Sequence, residues 1–530
     1  MSGRTDIVVI GGGLNSLVAA YYLARAGRRP LVVERREAIG GTCSTGTIAP
    51  GFRVPTLLHA TGPLRAGLAA EMGLERHGLA LLESEARLFS TSADGRGLVL
   101  WRDDRRAMES IAAFSHADAD RYPQFGDAVN RLAGALGGLL DMTPPDIDRP
   151  GLRDITALLR TARRVRALGP RDIHRLLRWM PMAIADVAAE WFESEVLRAV
   201  IGARAVVGQA AGPWSAGTGA VFFLRAAADP HIAGSVVVPR GGPGALADAV
   251  AAAARAAGAE VRTGAEVARI DVKDGAATGV TLKSGEQIEV ATVVSGVDPK
   301  GTLLRLVDTT HIGPDLRRRV RNIRSRGVTA KVNLALGALP RFTALAGLGS
   351  DATRALGGRI LVAPEIDYVE RAFDASKYGL VPDRPFLEAT IPSLLDPGLA
   401  PAGKHVMSVL AQFVPYHLRE SDGAGLRDRV ADLVVKTLAE RAPDLPGLVE
   451  HRQVITPRDL EEEWGLSEGH IFQGEEALDQ IFTMRPILGF ARYRSPIRGL
   501  YWCGAGTHPG GGLTGANGRN AAQAILADRV

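Results

Sequence analysis

Apolar and polar positions divide the chain into short uniform runs and longer periodic ones. Ile7–Ile10, Leu31–Val33, 291–295 and Leu500–Trp502 are brief and almost wholly apolar, the pattern of parallel strands covered on both faces. After the first run, Val18–Ala24 continues as a helix, and Gly27 is placed to end it. The alanine-rich stretch 245–257 predicts another helix behind the turn Gly241-Gly242-Pro243-Gly244. Segments 259–262, 266–272, 280–282 and 288–290 read as strands, with Gly285 in the turn between the last two. Residues 91–234 are mostly helical by periodicity, whereas 301–454 carries strand-like runs at 328–336, 360–362, 386–391 and 405–413. The pattern predicts an α/β fold. A Rossmann-type domain is assembled from 1–90, 235–300 and 455–530, and 91–234 with 301–454 form an inserted mixed α+β domain.

The turn after the first run is Gly11-Gly12-Gly13-Leu14-Asn15-Ser16. Gly11 permits a tight turn, and Gly13, with Leu14 and Asn15 behind it, lets backbone approach a pyrophosphate at the positive end of the helix. Glu34 follows by about 20 residues, the place of a carboxylate that accepts hydrogen bonds from ribose hydroxyls. Ser16 stands where the motif has its third glycine, and its hydroxymethyl group is expected to fit against the first strand at small cost. Farther on, Arg35 precedes the pair Gly40-Gly41 and Thr42, an arrangement in which backbone can lie against a diphosphate with Arg35 as partner for its charge. The far end repeats strand, glycine turn and helix start: Leu500–Trp502, then Gly504-Ala505-Gly506, then Leu513-Thr514-Gly515. A long dinucleotide touched by both ends explains the duplication, and FAD held non-covalently is the expectation. Gly241–Gly244 lacks the full spacing of a second fingerprint, so no dedicated NAD(P) domain is expected.

Several segments resemble known flavoproteins. Arg35 followed by Gly40-Gly41 is similar to the second signature of glutathione-reductase-like flavoproteins. Gly504-Ala505-Gly506-Thr507-His508-Pro509-Gly510 resembles the C-terminal motif of bacterial phytoene desaturases. The likeness extends through 386–393, 396–401, 403–406, 484–486 and Gly518-Arg519-Asn520, covering essentially the whole chain. Together these resemble the phytoene-dehydrogenase-related branch that also holds the pyridine nucleotide-disulphide oxidoreductase domain-containing protein 2 group. The resemblance implies an FAD-dependent oxidoreductase with a glutathione-reductase-like Rossmann domain, without implying a carotenoid substrate. It also implies that backbone at Val267 bonds the adenine, and that Lys331 occupies the place where amine-oxidase relatives carry a lysine reaching flavin N5 through water.

Composition narrows the setting. The chain has 530 residues and only two cysteines, Cys43 and Cys503, with no disulfide framework, zinc-ligand spacing or Cys-x-x-Cys redox pair. The first strand begins almost at once after Met1 and no apolar run reaches membrane-spanning length, so a cytoplasmic protein is expected. Net charge is +5, and arginines crowd 152–180 among leucines and a closing Trp179. That mixture reads either as a solvated face packing its leucines inward or as amphipathic helices resting on a membrane surface. No nucleic-acid module accompanies the arginines, so nucleic acid binding is disfavoured.

The sequence shows no obvious acid–base pair. Candidate catalytic residues are Lys331 and His508, the latter in the turn expected beside the flavin, and His59 could lie near the ring. The expected reaction is hydride transfer between flavin N5 and carbon–carbon bonds of a largely apolar, isoprenoid- or lipid-like substrate. Three observations support it. The helix opened by Leu513-Thr514-Gly515 should face the flavin with its positive end. No arginine–carboxylate motif for a charged substrate is visible beside it. Nor is an aromatic cage, since the resemblance to amine oxidases puts Gly512 at the place of the cage aromatic. Third, the basic amphipathic helices 152–180 could rest on a membrane surface and admit a lipid from it. The alternatives are a flavin amine oxidase, or a flavin-binding protein with a regulatory role and little turnover.

Overall fold

The computed structural model describes residues 5–59, 64–65, 67–419 and 425–528. Its central sheet has five parallel strands in the spatial order Leu500–Trp502, Thr292–Ser295, Ile7–Ile10, Pro30–Val33, Glu260–Arg262. The first strand of the chain is the middle strand of the sheet, with Ile7 opposite both Thr292 and Pro30. Its side chains alternate between two cores, as a period of two requires. Ile7 and Val9 pack with the helices Leu14–Arg25, Pro243–Ala256 and Ala516–Ala527. Val8 and Ile10 face a second core shared with the antiparallel strands Val267–Lys273, Ala276–Leu282 and Gln287–Glu289. The first and last helices lie against each other, and Gly518 makes that approach possible: a Cβ there would stand 2.0 Å from the Asn15 carbonyl oxygen.

The inserted region is built on a seven-stranded sheet in the order Val449–Ile455, Thr329–Leu336, His405–Gln412, Phe386–Thr390, Arg359–Val362, Ala86–Thr91, Gly97–Trp101. All neighbours are antiparallel except Arg359–Val362 beside Ala86–Thr91. Helices Asp104–Ala112, His116–Leu140, Ile184–Trp191, Glu195–Val206 and Thr218–Ala228 supply most of the core against it.

Three sequence expectations shift here. The boundary placed at 90 cuts through Ala86–Thr91, which belongs to the seven-stranded sheet. The hairpin 86–101, at the start of the first insert expected to be mostly helical, turns at Asp94-Gly95, a strong hairpin dipeptide. Residues 301–323 are expected in the insert, yet Leu303, Val307, Val320 and Ile323 pack on the parallel sheet.

The arginine-rich segment forms helices Leu152–Ala167 and Gly169–Trp179. Trp179 is buried, its ring stacked on Phe223 with centroids 5.9 Å apart, so it anchors the core rather than an interface. Leu168 and Leu176 pack against the core, but the other leucines do not turn inward as a solvated face would require. Leu152, Ile155, Leu158, Leu159 and Leu177 are exposed. Among the described residues, no helix is long and apolar enough to cross a membrane.

Candidate functional site

A long groove of about 1570 Å³, including its open mouth, runs over the carboxyl ends of the parallel strands, where ligands of open α/β sheets bind. Gly11, Gly13, Leu14, Asn15, Ser16, Glu34, Arg35, Gly40, Gly41, Thr42, Val267, Gly504 and Leu513 all line it, so residues from both ends and the middle of the chain converge on one cleft. The Glu34 carboxylate braces the turn. Gly12 N–H donates to Oε2 at 2.6 Å and Arg36 N–H to Oε1 at 2.9 Å, leaving each oxygen lone-pair capacity for a further donor. A Cβ built at Gly13 meets nothing within 4 Å, so the floor is open at the helix end where a pyrophosphate would lie. Asn15 Oδ1 is buried there without a partner. Shape, the open helix end and the Glu34 carboxylate, which can accept from ribose hydroxyls, fit FAD.

Two groove residues do something other than expected. Arg35 donates through Nη2 to the Glu462 and Glu463 carbonyls, so its guanidinium clamps the end of helix Pro457–Trp464 across the groove. Ser16 packs against more than the first strand. Its Oγ contacts Cys503 Sγ at 3.7 Å and lies over Gly296. Cys43 and Cys503 are buried in the hydrophobic core, and burial pushes both thiols up to about 12.

The groove continues into a second cavity of about 1060 Å³, with Leu58, Ile471, Phe472, Gly512 and Leu513 shared between them. Thr514 lines this second space, whereas Gly515 lines neither: a Cβ there would press on Leu68 and Val18, so this glycine serves helix packing. The cavity's charged residues are not among the candidates named from the sequence. Arg204, Arg225, Arg359, Asp229, Glu388 and Glu476 all line it. The expectation that no arginine–carboxylate cluster stands beside the flavin end is therefore corrected. These residues are scattered over helices Glu195–Val206 and Thr218–Ala228, strands Arg359–Val362 and Phe386–Thr390 and the 470s, and only the tertiary fold gathers them.

Lys331, His59 and Glu388 form one buried line. His59 Nε2 is 3.1 Å from Glu388 Oε1, and Lys331 Nζ is 3.1 Å from His59 Nδ1. The carboxylate must accept, which assigns the proton to Nε2 and leaves Nδ1 to accept from Lys331. Burial holds Lys331 well below the usual lysine range. Burial also lowers His59, to about 4, with the nearby Lys331 charge adding to it. Burial alone would raise Glu388, but Arg359 and the hydrogen bond from His59 outweigh it and bring the carboxyl down to about 2. Lys331 lines neither cavity; it bonds His59, which with Glu388 faces the second cavity. His59 in turn sits beyond the FAD groove, not in it. His508 is placed away from both spaces: it is buried, bonds the Leu139 carbonyl through Nε2 at 2.6 Å and lines neither.

A dinucleotide groove opening at its flavin end into a charged cavity defines an FAD-dependent oxidoreductase. Residues 17–526 match the family described as flavin containing amine oxidoreductase, and the chain belongs to that family. It is 34% identical to rat (Rattus norvegicus) pyridine nucleotide-disulfide oxidoreductase domain-containing protein 2, over 99% of this chain and 93% of the relative. It is 27% identical to a limonene dehydrogenase polypeptide of Castellaniella defragrans, covering 99% and 95% of the two chains. Phytoene desaturase of Fusarium fujikuroi is 25% identical, with 96% and 87% covered.

Proposed function

We propose that the chain transfers hydride between FAD and a carbon–carbon bond of a substrate seated in the second cavity, whose body is largely apolar. The continuity of the groove with that cavity at Phe472, Gly512 and Leu513 carries the reading, since a substrate there meets the end of a cofactor laid along the groove. Bound FAD supplies a hydride acceptor at N5. The chain's own residues bind, orient and keep water out. Once hydride has left one carbon, the neighbouring C–H becomes acidic enough for a weak base. Glu388, anionic and held by His59, is placed on the cavity wall to favour the developing positive charge and take that proton. Lys331 positions the pair by fixing the His59 tautomer. The names of the limonene dehydrogenase and phytoene desaturase relatives agree with an isoprenoid-like body. An amine substrate is disfavoured, because it would bring an ammonium beside Arg204, Arg225 and Arg359.

The exposed apolar face Leu152, Ile155, Leu158 and Leu159, edged by Arg160, Arg163, Arg164 and Arg166, supports contact with an anionic membrane surface from which such a substrate could enter. The deciding experiment is anaerobic incubation of the FAD-loaded protein with lipid fractions and with small amines, following loss of flavin colour. Bleaching by a lipid fraction with a double bond gained or lost supports the proposal. Bleaching by amines alone replaces it with amine oxidation, and photoreducible flavin that no compound bleaches points to a binding or regulatory role.

A further inference from the structure

The second cavity holds one guanidinium that the fold does not use for hydrogen bonding. Arg204 donates to three backbone carbonyls, of Ile232, Arg225 and Asp229, and Arg225 donates to the Arg204 and Val207 carbonyls and to Glu476. Both tie helices together. The Arg359 side chain makes no hydrogen bond among the described residues. Its Nε is buried without a partner, and its Nη1 stands 3.8 Å from Glu388 Oε2, an ion-pair distance beyond hydrogen-bond range. The side chain is only 15% exposed. A buried donor left unpaired is costly, so its persistence on a cavity wall asks for a missing acceptor.

Three guanidiniums, those of Arg204, Arg225 and Arg359, line the cavity against the three carboxylates of Asp229, Glu388 and Glu476, so the charges balance in number but not in hydrogen bonding. The carboxylates are already engaged: Asp229 accepts from Ser235, Glu388 from His59, and Glu476 from Gln209, Gly511 and Arg225. Arg359 and Arg204 converge on Gly234 together with Asp229: a Cβ there would lie 3.0 Å from Asp229 Oδ2, 3.2 Å from Arg359 Nη2 and 3.5 Å from Arg204 Cζ, yet Asp229 Oδ2 is taken by Ser235. Much of the remaining wall is apolar, from Leu58, Val207, Leu410, Ile471, Phe472 and Leu513, with His59, Ser235 and Thr514 as its other polar side chains.

We infer that the substrate is an amphipathic monoanion: a carboxylate received by the planar fork of Arg359, on an apolar body that reaches toward Gly512 and Leu513. This deepens the proposed function and rests on its placing the substrate in this cavity. A guanidinium fork matches a carboxylate in two parallel hydrogen bonds, and Arg359 has its donors free of hydrogen bonds to make them. A pure hydrocarbon would leave Arg359 unpaired in a drier cavity still.

Calorimetric titration of the FAD-loaded protein with hexanoate, hexan-1-ol and hexylamine tests this. The expected result is hexanoate binding at least about tenfold tighter than either neutral or cationic analogue. Arg359→Met should lose that preference, Arg359→Lys should keep part of it, and FAD content should be unchanged in both, because Arg359 does not line the FAD groove. Equal binding of the three probes, no binding of hexanoate, or undiminished hexanoate binding by Arg359→Met would overturn the inference. The probe series on the unmodified chain decides even where a variant fails to fold. Flavin bleaching is measured separately, so a protein that binds hexanoate yet bleaches with no substrate counts against the redox reading and not against the anion site.

Discussion

Ser16 Oγ lies 2.1 Å from the point where a Cβ would stand on Gly296. The first helix carries a serine where the dinucleotide motif has glycine, and the end of the neighbouring strand carries the glycine instead. Close packing of helix on sheet is kept by moving the bare position to the other partner. Ser16→Gly should therefore retain FAD affinity, with at most about 1 kcal/mol lost from helix propensity. Gly296→Ala should cost about 1–3 kcal/mol by overpacking, and Ser16→Gly should recover most of that loss. Chemical denaturation of the two single variants and the double variant measures the coupling. A Ser16→Gly protein without flavin would instead make the hydroxyl a cofactor ligand.

Gly13→Trp should leave the fold intact and abolish the yellow flavin colour. A side chain there enters space that no protein atom occupies but that the pyrophosphate needs. Circular dichroism reports the fold and flavin absorbance the occupancy. Full FAD content in this variant would refute the assignment of the groove. Acid precipitation of the native protein should release all flavin, since Cys43 and Cys503 are sealed in the core.

Lys331 makes stability pH-dependent in a definite direction. Its folded pKa is depressed, so between that value and the unfolded value of 10.5 only the unfolded chain binds the proton, and stability rises with pH. One such proton contributes about 1.4 kcal/mol per pH unit. His59 adds a rise of the same sign between about 4 and 6.5. Lys331→Met should flatten the upper arm while leaving FAD bound. Unfolding midpoints from pH 7 to 10 would show it, and an unaltered slope would mean that Lys331 is charged in the fold.

Leu158→Glu with Leu159→Glu should abolish any co-sedimentation with anionic vesicles, while melting temperature changes little because both side chains are exposed. The native chain should bind phosphatidylserine vesicles and release them as salt rises. Failure of the native chain to bind at low salt would return these helices to a solvated role.

The cofactor groove was legible because its signals are local. Apolar runs, glycine turns and Glu34 each sit within a few residues of the chemistry they serve, and the groove is lined by them. The second cavity was not, because its charged groups come singly from distant elements. A partial signal existed. Lys331 and Glu388 interrupt strands that are otherwise uncharged, Thr329–Leu336 and Phe386–Thr390, and a charge in the middle of a buried strand must find a partner. Reading the two together would have suggested the pair that His59 joins. Arg204, Arg225 and Arg359 gave no such sign, since arginine is common throughout this chain and its burial follows from tertiary packing alone. Phe472 was missed because it lies in an irregular bend without periodicity.

The order of strands in the parallel sheet also sets a timetable. The middle strand is made first, yet its neighbour Thr292–Ser295 emerges nearly three hundred residues later, and the strand and helix that complete the groove emerge last. At about 5–20 residues per second, the ribosome needs roughly half a minute to two minutes between the first strand and the last. Throughout that interval the glycine turn at Gly11–Gly13 has no far wall, and for much of it Ile7–Ile10 has an unpaired edge. The groove's two walls therefore meet only once the last strand and helix have been made and Ala516–Ala527 has settled on Asn15.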